Sequence, residues 1–281
     1  MIYGTLLVPK AVRNPLVLFG VGVIAVLFVV AALAPALAPY GPQTGTLLDR
    51  FEPPGPRHWF GTDSSGFDVF TRVLYGARPA VGSGLIVLAV STSAGTAVGL
   101  LAGYGRGLWG EVLLRITDVF LAFPGLLLAM AVVAAIQQRT LWAIVVAISL
   151  RWWAPYARIV AAQTLSIRER DYVEAARAMG ARHRRVLLRH VLPNALSPVV
   201  VQATLDLGAI ILTTAALSFI GFGSEPGTPD WGRMVADGRQ YMRDHWWVVL
   251  FPGLAIFFAV AAFNLAGDGA RDAFDPRLRG E

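Results

Sequence analysis

The sequence predicts an all-α polytopic membrane protein with six transmembrane helices. The mean hydropathy is +0.58, with 56% hydrophobic and only 15% charged residues, outside the range of soluble globular domains. Six separate apolar stretches are long enough to cross a hydrocarbon core of ~30 Å. They lie near 15–38, 79–103, 112–136, 141–163, 198–222 and 247–267, and the charges gather between them.

Residues 1–14 form a short N-terminus ahead of the first span at 15–38, which opens at Asn14-Pro15. Ala36-Leu37-Ala38 has the small residues of a signal-peptide cleavage site. The apolar run exceeds the ~7–15 residues of such a peptide, however, and Pro39 follows the would-be cut, so an uncleaved span is expected. Residues 39–78 are rich in Pro, Gly and aromatics (Pro53, Pro54, Pro56, Trp59, Phe60) and too long for a tight turn. They read as an irregular loop ending in a short interfacial helix at 68–77. A five-helix core then occupies 79–267. In its first span, Gly95, Gly99 and Gly103 at four-residue spacing permit close helix packing.

Between the fourth and fifth spans lies a basic, helix-prone segment, 164–196, with seven arginines from Arg168 to Arg189. Tyr172, Ala175, Ala176 and Met179 recur at helical spacing and make a small, smooth apolar face. Gly180 permits a change of direction. A second amphipathic helix (Val186, Leu187, His190, Val191) then returns to the membrane at Pro193. Such a segment is either a solvated basic linker or a surface built to touch a partner.

The loop 223–246 is broken by Pro226, Pro229 and Gly232, with a helical pattern over Met234–Tyr241, and Trp246-Trp247 suits an interfacial anchor. The loops 39–78 and 223–246 either meet a delivering protein or merely cap the span ends. The tail is 268–281.

Six spans put both termini on one side. The excess of Lys and Arg sits with the termini and with 164–196, which places these in the cytoplasm of a cell bounded by a plasma (inner) membrane. The formal charge of +6 belongs to this orientation and to anionic lipid contact, and gives no reason to expect nucleic acid as a partner.

Zero cysteines exclude disulfides, thiol catalysis and Cys-based metal sites. Lys10 is the one lysine, so no P-loop lysine is available to reach nucleotide phosphates; Gly61–Gly66 mimics the glycine spacing but is followed by Phe67. His58, His183, His190 and His245 are scattered over both sides of the membrane. No catalytic residue and no metal or cofactor site is expected; the chain reads as a conduit.

Two charges lie deep in the spans. Arg151 and Asp206 fall at similar depth, ~13–15 Å in at ~1.5 Å per residue, on consecutive spans. They are expected to form a mutual ion pair, either gluing the two spans or opening to meet the termini of a zwitterionic cargo. Trp152 and Trp153 would then form an apolar wall, and Thr213 and Thr214 would complete the pathway candidates.

Motifs spread along nearly the whole chain carry a family resemblance. Glu174-Ala175-Ala176, then Gly180, then Val191-Leu192-Pro193-Asn194 resembles the EAA loop of ABC importer permeases. The resemblance extends through Phe60-Gly61-Thr62-Asp63, Asp68-Val69-Phe70, Asp118, Ala122-Phe123-Pro124-Gly125, Leu217–Gly223, Pro229-Asp230-Trp231-Gly232 and Gly267-Asp268-Gly269. It is specifically similar to the dipeptide, oligopeptide and nickel branch. The resemblance implies a type I ABC importer permease fold and a sister permease. It also implies two cytoplasmic ATPases that use ATP and Mg, and an extracytoplasmic substrate-binding protein. It places ATPase coupling on Tyr172, Glu174, Ala175, Ala176, Arg177, Met179 and Gly180, and implies a peptide cargo, with nickel chelate, glutathione and oligosaccharide as alternatives. Gly66-Phe67-Asp68 departs from the family's Gly-Arg-Asp, and Thr214 stands where the family often has Glu, so fine specificity does not carry over. The other class of reading is a standalone ion-coupled secondary transporter or channel, with 164–196 as a regulatory loop. Against it, inverted repeats with broken helices are not apparent in the sequence.

Overall fold

The computed structural model describes residues 14–105, 108–138, 140–225 and 227–274, and every regular element longer than a single bridge among them is helical. The expectations for residues 1–13 and 275–281 lie outside the described residues.

Helix α1 (Pro15–Leu37) starts at Asn14, whose side chain accepts the Leu16 amide at 3.0 Å. Pro15 sits in the first turn, where its missing N–H would have had no partner. The helix lies at the edge of the bundle against α2 (Val69–Tyr104) and α10 (Trp247–Phe274), with only Gly20 and Ala34 buried. Leu16, Phe19, Val26 and Val29 remain exposed, as lipid-facing residues should.

Two expected pieces, the interfacial helix at 68–77 and the span at 79–103, are one 36-residue helix, α2. Asp68 caps it by accepting the Thr71 amide at 2.7 Å. Pro79 is absorbed within the helix, whose other backbone bonds hold it together. At ~1.5 Å per residue it is ~54 Å long, so its first turns stand outside the hydrocarbon.

The third expected span, 112–136, is broken. Helices α3 (Leu108–Ala122) and α4 (Gly125–Ile136) meet at 93°. Pro124 lies at the break, and a proline biases the residue before it, Phe123, away from the helical region. Among the described residues there are therefore five continuous candidate spans, and six if the bent pair counts as one crossing.

Helix α5 (Leu141–Ile167) is the centre of the bundle. It packs along α2, where a Cβ on Gly95, Gly99 or Gly103 would come within 2.5–2.7 Å of α5 atoms. The glycine spacing in the sequence is thus the seam between these two helices.

After α5 come α6 (Asp171–Ala178), α7 (His183–Val186) and α8 (Leu192–Leu217), the last two joined by a wide π turn over Leu187–Val191. Pro193 does not end a helix as expected. It falls in the first turn of α8, just after the π turn, and the Asn194 side chain donates to the His190 carbonyl at 2.7 Å. A second π turn, Ser218–Phe222, ends α8 at Gly221, whose φ is 105°.

Helix α9 (Trp231–Gly238) begins three residues before the expected Met234, because the Asp230 carboxylate accepts the amides of Gly232 and Arg233. Residues 239–241 form a tighter turn rather than more α-helix. At this end of the bundle the irregular segment 39–68 folds over α9 and α10. The Trp247 indole donates to the Thr62 carbonyl at 3.1 Å, and the Trp231 indole to the Val73 carbonyl at 2.8 Å.

Candidate coupling loop and membrane pathway

Helix α6 is short and would not hold alone, so its position depends on what it buries. Asp171 and Glu174 lie in its first turn, where negative charge suits the helix dipole. Val173 and Ala176 turn inward. Val173 joins a cluster with Tyr156, Val160, Ile167, Val186, Val191 and Ala195. The helix ends in a Schellman turn: the Ala181 amide donates to the Ala176 carbonyl and the Gly180 amide to the Arg177 carbonyl. Gly180 adopts φ 84° with open space around its missing Cβ, so glycine is required there by backbone conformation and not by crowding.

This divides the seven expected coupling residues. Tyr172, Glu174, Ala175, Met179 and Gly180 are on the exposed side, Met179 at 82%. Ala176 is 5% exposed and faces the chain's own core, which corrects its expected place on the outer apolar face. Arg177 also turns back: its guanidinium lies over the Tyr104 ring at 5.5 Å. The Tyr104 hydroxyl in turn meets His183 Nδ1 at 3.1 Å, and Arg168 donates to the Gly103 carbonyl at 3.0 Å. The α6–α7 elbow is therefore seated on the end of α2. The sequence pattern gave Ala175 and Ala176 equal standing; a one-residue step of 100° around the helix separates them.

The expected ion pair between Arg151 and Asp206 does not form. The Asp206 carboxylate accepts the Tyr156 hydroxyl at 2.7 Å and the Gln202 amide at 2.9 Å. Arg151 sits elsewhere, against the α3–α4 break and 5.8 Å from the Trp152 ring. Equal depth was not enough, because the two side chains leave their helices in different directions. Trp152 packs between two core clusters, and Trp153 meets Phe120 edge-on at 5.2 Å. The Thr213 and Thr214 hydroxyls donate to the carbonyls of Ala209 and Ile210, one turn back in α8; Thr213 is half-buried and Thr214 buried. The six pathway candidates are thus not gathered at one point.

The sequence reading passed over Tyr156, the partner of Asp206. A charge at membrane depth demands a donor nearby, and that demand was the available signal. It also passed over Arg158, which pairs with Asp118 and ties α5 to α3.

At the end of the bundle bearing residues 39–68, a cleft of about 350 Å³ is lined by Asp63, Ser65, Arg72, Asp237 and Arg239, among others. Burial pushes the Asp63 carboxyl up, against the lowering effect of the Arg72 guanidinium 3.5 Å away. Asp230 sits beside α9 with Ser218 donating at 2.8 Å and Ser224 at 3.4 Å; burial raises it above the ordinary aspartate value. Gln43 and Arg72 both donate to the Gly227 carbonyl, at 3.3 and 3.2 Å, and tie the two loops together.

With this geometry in place, comparison with known proteins is informative. A family model described as the binding-protein-dependent transport system inner membrane component matches residues 95–280, and one for the N-terminal TM domain of oligopeptide transport permease C matches residues 10–54. The chain is 40% identical over 268 residues to the dipeptide transport system permease protein DppC of Alkalihalophilus pseudofirmus, covering 95% of this chain and 88% of that one. It is 39% identical to the probable D,D-dipeptide transport system permease protein DdpC of Escherichia coli, over 95% of this chain and 90% of that one. The glutathione transport system permease protein GsiD of Pectobacterium atrosepticum is 43% identical, over 90% and 84% respectively. Among solved structures, the inward-facing MetNI methionine ABC transporter aligns with TM-score 0.58 at 21% identity, over 72% of this chain and 96% of that one. An amino acid ABC transporter solved with histidines aligns with TM-score 0.55 at 16% identity, over 71% and 92%. These two likenesses concern the fold.

Proposed function

The chain belongs to the inner-membrane components of binding-protein-dependent transport systems, and from that premise we propose that it forms one permease half of an ATP-driven peptide importer. In this reading a sister permease completes the pathway. Two cytoplasmic ATPases supply the energy with ATP and Mg, and an extracytoplasmic binding protein delivers the cargo; the chain's one lysine, Lys10, belongs to no P-loop motif. Peptide cargo is supported by the relatives named for dipeptide, D,D-dipeptide and glutathione transport. A standalone transporter or channel is disfavoured, because permease relatives of such systems match over nine-tenths of the chain or more.

The observation that carries the coupling role is the α6 elbow. Its outer face (Tyr172, Glu174, Ala175, Met179) is exposed, while Val173, Ala176 and Arg177 anchor it to α2 and α5. Exposed Ala175 and Ala178 leave room between the longer side chains for an ATPase groove to close over the helix, and the Gly180 turn holds the following segment clear. Orientation follows from charge: the arginine-rich 164–196 segment and both termini are cytoplasmic, and the 39–68 and 223–246 segments are outside.

The test is uptake into proteoliposomes that contain the permease pair, the ATPases and the binding protein. Labelled dipeptide should accumulate only with ATP on the ATPase side and with the binding protein opposite. Accumulation by this chain alone, driven by an ion gradient without ATP, would overturn the reading.

A further inference from the structure

A guanidinium at membrane depth is costly unless it meets a partner or a water-filled path. Arg151 lies ten residues beyond Leu141, the start of α5, hence ~15 Å along the helix. Its Nε is buried and without a hydrogen-bond partner, the residue as a whole is partly exposed, and no carboxylate lies within ion-pair distance among the described residues.

Its neighbour is the first turn of α4. A Cβ on Gly125 would lie 3.0 Å from Arg151 Nε and 3.3 Å from its Cδ, so the arginine stem runs across that turn. The residue at the cap is Pro124, which offers no side-chain acceptor, and the first backbone bond of the turn is Leu128 N–H to the Pro124 carbonyl at 3.0 Å. The amides of Gly125, Leu126 and Leu127 find no acceptor among the described residues. The Arg151 guanidinium, whose Nε is buried without a hydrogen-bond partner and which lies 5.8 Å from the Trp152 ring, therefore stands beside an uncapped helix N-terminus, itself a centre of partial positive charge. Two like-signed groups at this depth repel each other, and each would be relieved by one anion between them. Broken membrane helices are tolerated where they are buried in protein or line a cavity, and the α3–α4 pair is broken by 93° just before this turn. Asp206 is not the missing anion, because its oxygens are taken by Tyr156 and Gln202.

We propose that Arg151 and the first turn of α4 bind a carboxylate of the cargo as it crosses the membrane. This rests on the peptide-importer reading above and adds a specificity determinant: cargo with a free carboxylate. Arginine suits the task, since its planar fork can hold both carboxylate oxygens.

The experiment uses the complete complex in proteoliposomes, with wild type, Arg151→Gln and Arg151→Lys. A free-acid dipeptide is the cargo, alongside its C-terminal amide where wild type carries it. Loss of a charge-assisted contact should lower the maximal uptake of the free acid about tenfold or more in Arg151→Gln. Arg151→Lys should recover a substantial part of that loss. The melting temperature should stay at the wild-type level, and uptake of the amide should change less than that of the free acid. Equal uptake by wild type and Arg151→Gln would sink the proposal. So would equal losses in both variants with a lowered melting temperature, which marks a packing role. A wild-type complex that moves no peptide at all would instead overturn the function on which the proposal rests.

Discussion

The Tyr156 hydroxyl donates to the Asp206 carboxylate at 2.7 Å, and this contact joins α5 to α8 within the membrane. It stands where an ion pair with Arg151 was expected, and the Asp206 carboxyl group is met by hydrogen bonds from Tyr156 and Gln202. Removing that donor in Tyr156→Phe leaves Gln202 as the remaining partner. A stability loss of ~1–3 kcal/mol is expected, read as a lowered melting temperature of the detergent-solubilised complex. An unchanged melting temperature would show the contact to be unimportant. The charge exchange Arg151→Asp with Asp206→Arg should fail to restore either assembly or transport, because the two residues do not face each other.

Adjacent alanines in α6 should behave differently. Ala175 is exposed and Ala176 faces the core. Ala175→Trp is expected to leave the permease folded while the ATPase subunits no longer co-purify. Ala176→Trp should overpack the elbow and cost ~1–3 kcal/mol of stability. Retention of the ATPases at wild-type stoichiometry in Ala175→Trp would argue against the outer face as the docking surface.

Gly180 has positive φ and free space, so its substitutions separate conformation from crowding. Gly180→Val should strain the turn by ~1–2 kcal/mol and uncouple ATP hydrolysis from uptake. Gly180→Asn should do so much less, since asparagine tolerates the left-handed region. Equal effects from the two would point to some other role for this position.

Burial holds the Asp230 carboxyl above its ordinary value of 3.8. In the pH window above 3.8, up to the raised folded value, the folded state binds more protons than the unfolded state. Stability from this group is therefore present at low pH and lost as pH rises through that window. Asp230→Asn keeps an acceptor for the Gly232 and Arg233 amides and removes the buried charge. It should match or exceed wild-type melting temperature at neutral pH, with the advantage shrinking toward pH 4. An advantage that does not vary with pH would count against a buried charge as its cause.

Topology is open to a direct check. A reporter active only outside the cytoplasm should be silent when fused at the C-terminus and active when inserted between residues 43 and 57. The reverse pattern would put the α6 elbow on the wrong side for cytoplasmic ATPases.

By itself the sequence determined what depends on local composition. Long apolar runs must be membrane helices, since the bilayer leaves the backbone no other partner, and an arginine-rich insert such as 164–196 cannot lie in hydrocarbon. The glycine spacing at 95, 99 and 103 likewise announced a close helix seam, and the motifs around Glu174 and Gly180 pointed to the elbow. Only the tertiary structure decided how prolines would be spent: Pro79 and Pro193 are carried within helices, while Pro124 marks a 93° break. It also decided which alanine of the EAA motif points outward, and that Asp206 takes Tyr156 rather than Arg151. Depth can be counted along one chain from the rise per residue. Direction cannot, because it depends on how each helix is rotated and on which neighbour offers a nearer partner.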